Sequence, residues 1–280
     1  MKTTLSWMGT LDGRKSLSQL SIPGTHDTGA LYEPFYGTSK CQDLTLSDQL
    51  AIGVRYLDIR CRHVDNAFKI YHGPISQHLT FADVVTACID FLAGNPTECI
   101  VMSVNEESTP SRNTRTFEET FAAYVAEHPQ RWELSTTTPT LDQARGKIVL
   151  LRRFRADSYA KGIDASRWPV NATFTIDSPA TLKIQDEYIV PDNLAKLAAI
   201  RSLYDETVSA SDEVLYLNYT SGYRRGLLGF PDIRVVSNFI NPAVSQYFNE
   251  SKHGRFGITV MDFADKATCA LIIATNNASG

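Results

Sequence analysis

No stretch of about 20 apolar residues occurs in this 280-residue chain, so no segment has the pattern of a membrane-crossing helix. Positive charge is not in excess either, because 27 Lys and Arg face 31 Asp and Glu for a net charge of −4. That balance excludes a basic field able to gather nucleic acid, or to hold the chain on an anionic bilayer by charge alone. A glycine-rich loop between strand and helix is missing, which removes the usual cradle for nucleotide phosphates. Cysteines are few: Cys41, Cys61, Cys88, Cys99 and Cys269 are odd in number and show neither a metal-ligand rhythm nor a disulfide framework. Cys88, Cys99 and Cys269 lie in apolar runs and read as buried free thiols. There is no linker, no internal repeat and no low-complexity tract beyond a short Ser/Thr-rich stretch at 135–138. What remains is ordinary globular material, 43% apolar and 21% charged, and one domain spanning 1–280 is expected.

Short β-type runs recur at 20–23, 54–61, 67–71, 99–104, 147–154, 181–185, 214–217 and 256–263. Helical stripes fall between them at 81–92, 117–125 and 193–203. Alternation of this kind predicts a parallel sheet covered by helices. Nearly every run ends in polar residues, among them His26-Asp27, Asp58 and Arg60, His72, Asn105-Glu106, Arg153, Asp186 and Tyr188, and Asp262. A barrel gathers the C-terminal ends of its strands around one mouth, whereas an open doubly wound sheet concentrates its site at one switch point. The pattern therefore predicts an α/β fold of (β/α)8 TIM-barrel type, for which about 250 residues is typical.

Two histidines frame the most informative stretch. His26 sits in Ser21-Ile22-Pro23-Gly24-Thr25-His26-Asp27 and His72 in Lys69-Ile70-Tyr71-His72-Gly73-Pro74, each where an apolar run meets Gly or Pro. Between them, Asp58 and Arg60 lie two apart in a strand and must share a face. A salt bridge on a solvated sheet is the plainer reading of that pair alone. Two flanking histidines change it: they can act as general base and general acid on one phosphate, with Arg60 neutralising charge on phosphorus.

With those residues in hand, the chain resembles the bacterial-type phosphatidylinositol-specific phospholipases C. The resemblance runs through Leu20-Ser21-Ile22-Pro23-Gly24-Thr25-His26-Asp27-Thr28, Asp58-Ile59-Arg60 and His72-Gly73-Pro74. It continues in order through Glu98-Cys99-Ile100-Val101-Met102-Ser103, Arg145-Gly146-Lys147-Ile148-Val149-Leu150-Leu151-Arg152-Arg153, Ile184-Gln185-Asp186-Glu187-Tyr188 and Val260-Met261-Asp262-Phe263. It implies a single X-type catalytic domain folded as a distorted, incompletely closed barrel. It also implies cleavage of phosphatidylinositol, or of glycosylphosphatidylinositol anchors, by attack of the inositol 2-hydroxyl on phosphorus. The products would be diacylglycerol and inositol 1,2-cyclic phosphate.

Carried over residue by residue, the resemblance makes His26 the base, His72 the acid, Asp262 the partner of His26 and Asp27 the partner of His72. Asp58 would hold the geometry and Arg60 would bind the phosphate oxygens. Calcium-binding relatives carry an acid where Arg60 stands, so no metal or other cofactor is expected. Arg153, Asp186, Tyr188 and Asn105 match the headgroup positions, although the family's lysine is replaced by Asn105, with Glu106 and Glu107 following. Tyr36, Leu228 and Phe230 are candidates for transient contact with a bilayer. The resembling family also implies a secreted enzyme, so Met1 reads as a start placed on a mature chain. A monomer is expected. Two rivals stay open: a silent lipid-binding barrel, and a metal-dependent glycerophosphodiester phosphodiesterase.

Overall fold

The computed structural model describes residues 4–157, 161–210, 213–226, 229–250 and 253–277, so Leu228 lies outside the described residues. The first half of the chain forms β1 (Ser21–Thr25), β2 (Tyr56–Val64), β3 (Ala67–His72), β4 (Ile75–Thr80), β5 (Ile100–Ser111), β6 (Trp132–Glu133) and β7 (Ile148–Arg153). The second half adds β8 (Ile163–Asp164), β9 (Ala172–Ile176), β10 (Leu182–Asp186), β11 (Leu215–Tyr219), β12 (Arg224–Arg225), β13 (Pro231–Asp232) and β14 (Gly257–Met261). Helices α1 (Leu46–Ala51), α2 (Phe81–Gly94), α3 (Phe117–Glu127), α4 (Leu141–Ala144), α5 (Asn193–Ser209), α6 (Ile233–Asn249) and α7 (Lys266–Ala274) lie between them.

Strands β7, β5, β2, β1, β14, β11 and β10 lie side by side, all parallel. β9 covers one edge antiparallel to β10, and β6 and β8 flank β7 at the other. Among the described residues no ladder joins β9 to β6 or β8, so the sheet curls into an α/β barrel of TIM type that does not close.

The two-residue period of the strands explains how this sheet builds a site. Tyr56, Val101, Val149, Leu151, Leu182, Ile184, Leu217, Ile258 and Val260 fill one cluster, inside the barrel. Leu57, Ile59, Met102, Val104, Ile148 and Leu150 alternate with them and pack outward against the helices, with Phe81, Phe121 and Ile200. Each inner stripe continues at the mouth into a polar residue: Tyr56 into Asp58 and Arg60, Leu151 into Arg153, Ile184 into Asp186, Val260 into Asp262. On β1 the same stripe runs Ile22, Gly24, His26, and a Cβ at Gly24 would stand 2.8 Å from Cβ of Tyr56. Glycine is what lets those two strands approach.

One connection departs from the expected alternation of strand and helix. β2 runs past the rim to Val64 and returns as antiparallel β3, through a two-residue turn in which Asp65 and Asn66 have φ of 53° and 58°. Asp and Asn tolerate that left-handed conformation and suit a tight hairpin. His72 therefore reaches the mouth on a hairpin strand, not on a strand of the barrel wall. The predicted helices are present and longer, and capping boxes at Thr80 with Asp83 and at Thr116 with Glu119 fix two of their starts. No described helix is long and apolar enough to cross a bilayer.

Candidate active site

The mouth holds a cavity of about 410 Å³, lined by His26, Arg60, His72, Asn105, Glu107, Arg153, Trp168, Asp186 and Tyr188 among others. His26 Nδ1 lies 2.7 Å from Oδ1 of Asp262, whose other oxygen accepts the Gly222 amide at 3.3 Å. Arg60 Nη2 approaches the opposite ring nitrogen, Nε2, at 2.8 Å. The guanidinium can only donate, so Nε2 is the unprotonated nitrogen and Nδ1–H donates to Asp262. Burial most strongly disfavours the imidazolium and Arg60 adds to it, but the charge and hydrogen bond of Asp262, together with Asp58, hold His26 above its usual 6.5. This is the electrostatics of a base stabilised once it has taken a proton.

His72 sits opposite, its ring centroid 6.5 Å from that of His26. Its Nδ1 donates to the Ser39 carbonyl at 2.8 Å, which leaves Nε2 to face the cavity. The sequence reading pairs His72 with Asp27, and Asp27 Oδ2 stands 3.8 Å from Nδ1, within ion-pair reach but too far for a hydrogen bond. The cause is local: Asp27 follows β1 with φ of 38°, and the Ser39 loop reaches His72 first.

Arg60 occupies the centre of three carboxylates. It meets Asp58 Oδ2 at 3.1 Å, Glu107 Oε1 at 3.5 Å and Asp27 Oδ2 at 3.8 Å. Burial would raise the Asp58 pKa, but Arg60 and Arg153 hold that carboxyl below its ordinary range. Glu107 is likewise held down against burial, chiefly by Arg60. Asp27 is the exception. Burial raises it from 3.8 to about 6, and neither of its buried oxygens has a hydrogen-bond partner.

That exception carries a stability prediction. A carboxyl with a raised folded pKa keeps its full stability below the unfolded value of 3.8 and loses it as pH climbs through about 6. At 1.36 kcal/mol per unit the loss amounts to about 3 kcal/mol above pH 6. Asn suits the positive φ of this position and carries no charge. Asp27→Asn is therefore expected to melt higher than the native chain at pH 8 and at nearly the same temperature at pH 4, as calorimetry at the two pH values would show.

The other half of the cavity suits a polyhydroxylated ring. Arg153 stacks 3.9 Å over Trp168, and Trp168 Nε1 donates to Asp186 Oδ2 at 2.9 Å. Arg153 Nη1 also stands 3.5 Å from Asp58 Oδ1, tying this half to the histidines. Tyr188 lines the same wall, and Asn105 donates to Glu107 Oε2 at 3.2 Å. Behind β10, buried Lys196 pins the strand end through Gln185 at 2.8 Å and the Glu187 carbonyl at 2.9 Å. Glu106, expected beside Asn105 in the pocket, points outward, because β5 places Ser103, Asn105 and Glu107 on the inner face. Glu107 is the acid in the pocket. Sequence reasoning also missed Trp168, whose irregular segment before β9 has no periodicity to betray it.

Paired histidines, a carboxylate-ringed guanidinium and a hydroxyl-binding wall at the mouth of an open barrel define an acid–base site for cleaving a phosphodiester. The family model for the phosphatidylinositol-specific phospholipase C X domain matches residues 14–154. A 1-phosphatidylinositol phosphodiesterase from Staphylococcus aureus (strain Newman) is 32% identical over 94% of this chain and 89% of its own. Its counterpart in Listeria monocytogenes is 30% identical over 98% of this chain and 86% of its own. Among solved structures, a mutant of phosphatidylinositol-specific phospholipase C from Staphylococcus aureus superimposes with a TM-score of 0.88 at 29% identity, covering 99% of both chains. The enzyme of that name from Listeria monocytogenes gives 0.76 at 28% identity, covering 99% of this chain and 100% of its own. The chain belongs to the phosphatidylinositol-specific phospholipase C family.

Proposed function

We propose that this protein cleaves phosphatidylinositol to diacylglycerol and inositol 1,2-cyclic phosphate without a metal ion. His26 Nε2 takes the proton of the inositol 2-hydroxyl as that oxygen attacks phosphorus. Arg60, whose Nη2 stands 2.8 Å from that nitrogen, donates to the non-bridging phosphate oxygens as charge builds on them. His72 then gives the proton on Nε2 to the departing diacylglycerol oxygen. Asp262 stabilises the His26 imidazolium, and Arg153, Trp168, Asp186 and Tyr188 hold the ring. The observation that carries the reading is Arg60 itself: a fixed cation fills the centre of three carboxylates, the position an oxygen-ligated metal would take in a metal-dependent phosphodiesterase. Methylating the inositol 2-hydroxyl tests it. The methyl ether is expected to bind and not to react, and turnover of that analogue at the native rate would overturn the reading.

The substrate reaches the site from a bilayer. Phe35, Tyr36 and Phe230 are 72%, 81% and 62% exposed, and Val170 at the cavity rim is 77% exposed. Apolar side chains so placed suit shallow insertion beside the headgroups. An exported monomer acting on the outer surface of a membrane is part of this proposal.

Headgroup phosphates would meet Glu107 and Asp186 in a partly desolvated cleft, where like charges cost energy. Unmodified phosphatidylinositol is thus expected to be cleaved at least about tenfold faster than its 4,5-bisphosphate, a ratio that needs only about 1.4 kcal/mol of discrimination. Side-by-side rates in identical mixed micelles check this.

A further inference from the structure

Cys41 takes no part in the proposed reaction, yet it is fully buried between the two histidines. Its Sγ lies 3.8 Å from His72 Nδ1, and that nitrogen lies 3.8 Å from Oδ2 of Asp27. Donor atoms of Asp27, Cys41 and His72 all fall within 4.8 Å of one another. A tetrahedral ion with bonds of 2.0–2.3 Å separates its ligands by about 3.3–3.8 Å, so these contacts already approach the edges of such a site. Cys41 also stands near His26 and Asp262; those two are bound to each other and Asp262 to Gly222, and burial, with the Asp262 charge and its contact with the thiol, holds the thiol well above its usual 9.0. Asp27 has both oxygens buried and without a hydrogen-bond partner, and a carboxylate oxygen lies within 4.8 Å of the thiol sulfur. A carboxylate, a thiolate and an imidazole are the ligand set of zinc-type cations.

We propose that Asp27, Cys41 and His72 form an inhibitory site for a thiophilic divalent cation such as Zn²⁺, which enters from the cavity past His72. On binding, one proton leaves Sγ and one leaves Nδ1, both to solvent, and the thiolate and carboxylate together match the ion's charge. The cost is ionising a thiol that burial and the Asp262 and Asp27 charges keep protonated, the bond from Nδ1 to the Ser39 carbonyl, and repulsion from Arg60, 3.8 Å from Asp27. Repulsion is reduced because Arg60 is already paired with Asp58 and Glu107. With the ion on Nδ1, His72 keeps a hydrogen on Nε2 that is far less acidic than that of an imidazolium, and transfer to the leaving oxygen stops. The inhibitory part of the inference rests on His72 as general acid; the binding part does not.

The test uses the whole chain, first freed of metal. Co²⁺ titration of the native protein is expected to give a one-to-one complex with a near-ultraviolet thiolate band, absent from Cys41→Ser and Cys41→Ala. Zn²⁺ is expected to inhibit native turnover, with at least a tenfold higher half-inhibitory concentration in either variant. A native protein with no thiolate band at saturating Co²⁺, or variants inhibited at the native Zn²⁺ concentration, would overturn the site. A band accompanied by undiminished turnover at saturating Zn²⁺ would overturn the inhibitory role and count against His72 as the acid.

Discussion

Replacing either histidine with alanine is expected to lower turnover of phosphatidylinositol by about 10²- to 10⁴-fold, the range for a positioned proton donor or acceptor. The two losses should differ in character. His26 carries a charge-stabilising partner at 2.7 Å that raises its pKa, so the rising limb of kcat/KM is expected above pH 6.5 in the native enzyme. Asp262→Asn removes that stabilisation, so the limb should move to lower pH while the rate falls. His72 is held by the neutral Ser39 carbonyl, and its loss should be felt most with poor leaving groups. A substrate whose leaving oxygen needs no proton should recover much of the rate in His72→Ala and none in His26→Ala. Near-native activity in either folded variant would remove that histidine from its role.

Arg60→Ala is the second large effect. Loss of a preorganised donor to a developing oxyanion costs about 3–4 kcal/mol of transition-state stabilisation, or roughly 10²- to 10³-fold in rate. The same change strands Glu107 and leaves Asp58 with Arg153 alone, and removing one partner of a buried ion pair typically costs about 3–5 kcal/mol of stability. Arg60→Lys separates the two effects: it keeps the charge and most of the stability, but not the planar fork that reaches Asp58 and the phosphate together. The native enzyme should be indifferent to excess chelator. Loss of activity in chelator, restored by calcium, would contradict the reading of Arg60.

Much of the barrel was legible because the strands keep their period up to the mouth. The apolar stripes that fill the interior end in the polar residues that line the cavity, so Asp58 with Arg60, Arg153 and Asp186 fall on one face by counting alone. The same count assigns Glu107, not Glu106, to the pocket, once Ser103 is known to face inward. The hairpin from β2 to β3 was harder, because a two-residue Asp-Asn turn leaves no room for a visible break between two apolar runs. Helix α6 was hidden by Pro242, although Ile233, Val236, Ile240 and Val244 repeat at helical spacing around it. Trp168 and Cys41 were out of reach for a different reason: their partners Arg153, Asp186 and His72 are brought to them only by tertiary packing. Neither a propensity nor a period encodes such contacts.

The central claim is metal-free intramolecular attack by the inositol 2-hydroxyl, and a phosphorus NMR time course of phosphatidylinositol cleavage in excess chelator tests it most directly. The account predicts a cyclic phosphodiester as the first product, appearing at the same rate with and without chelator. Inositol 1-phosphate as the first product, or no product until a divalent ion is restored, would contradict it.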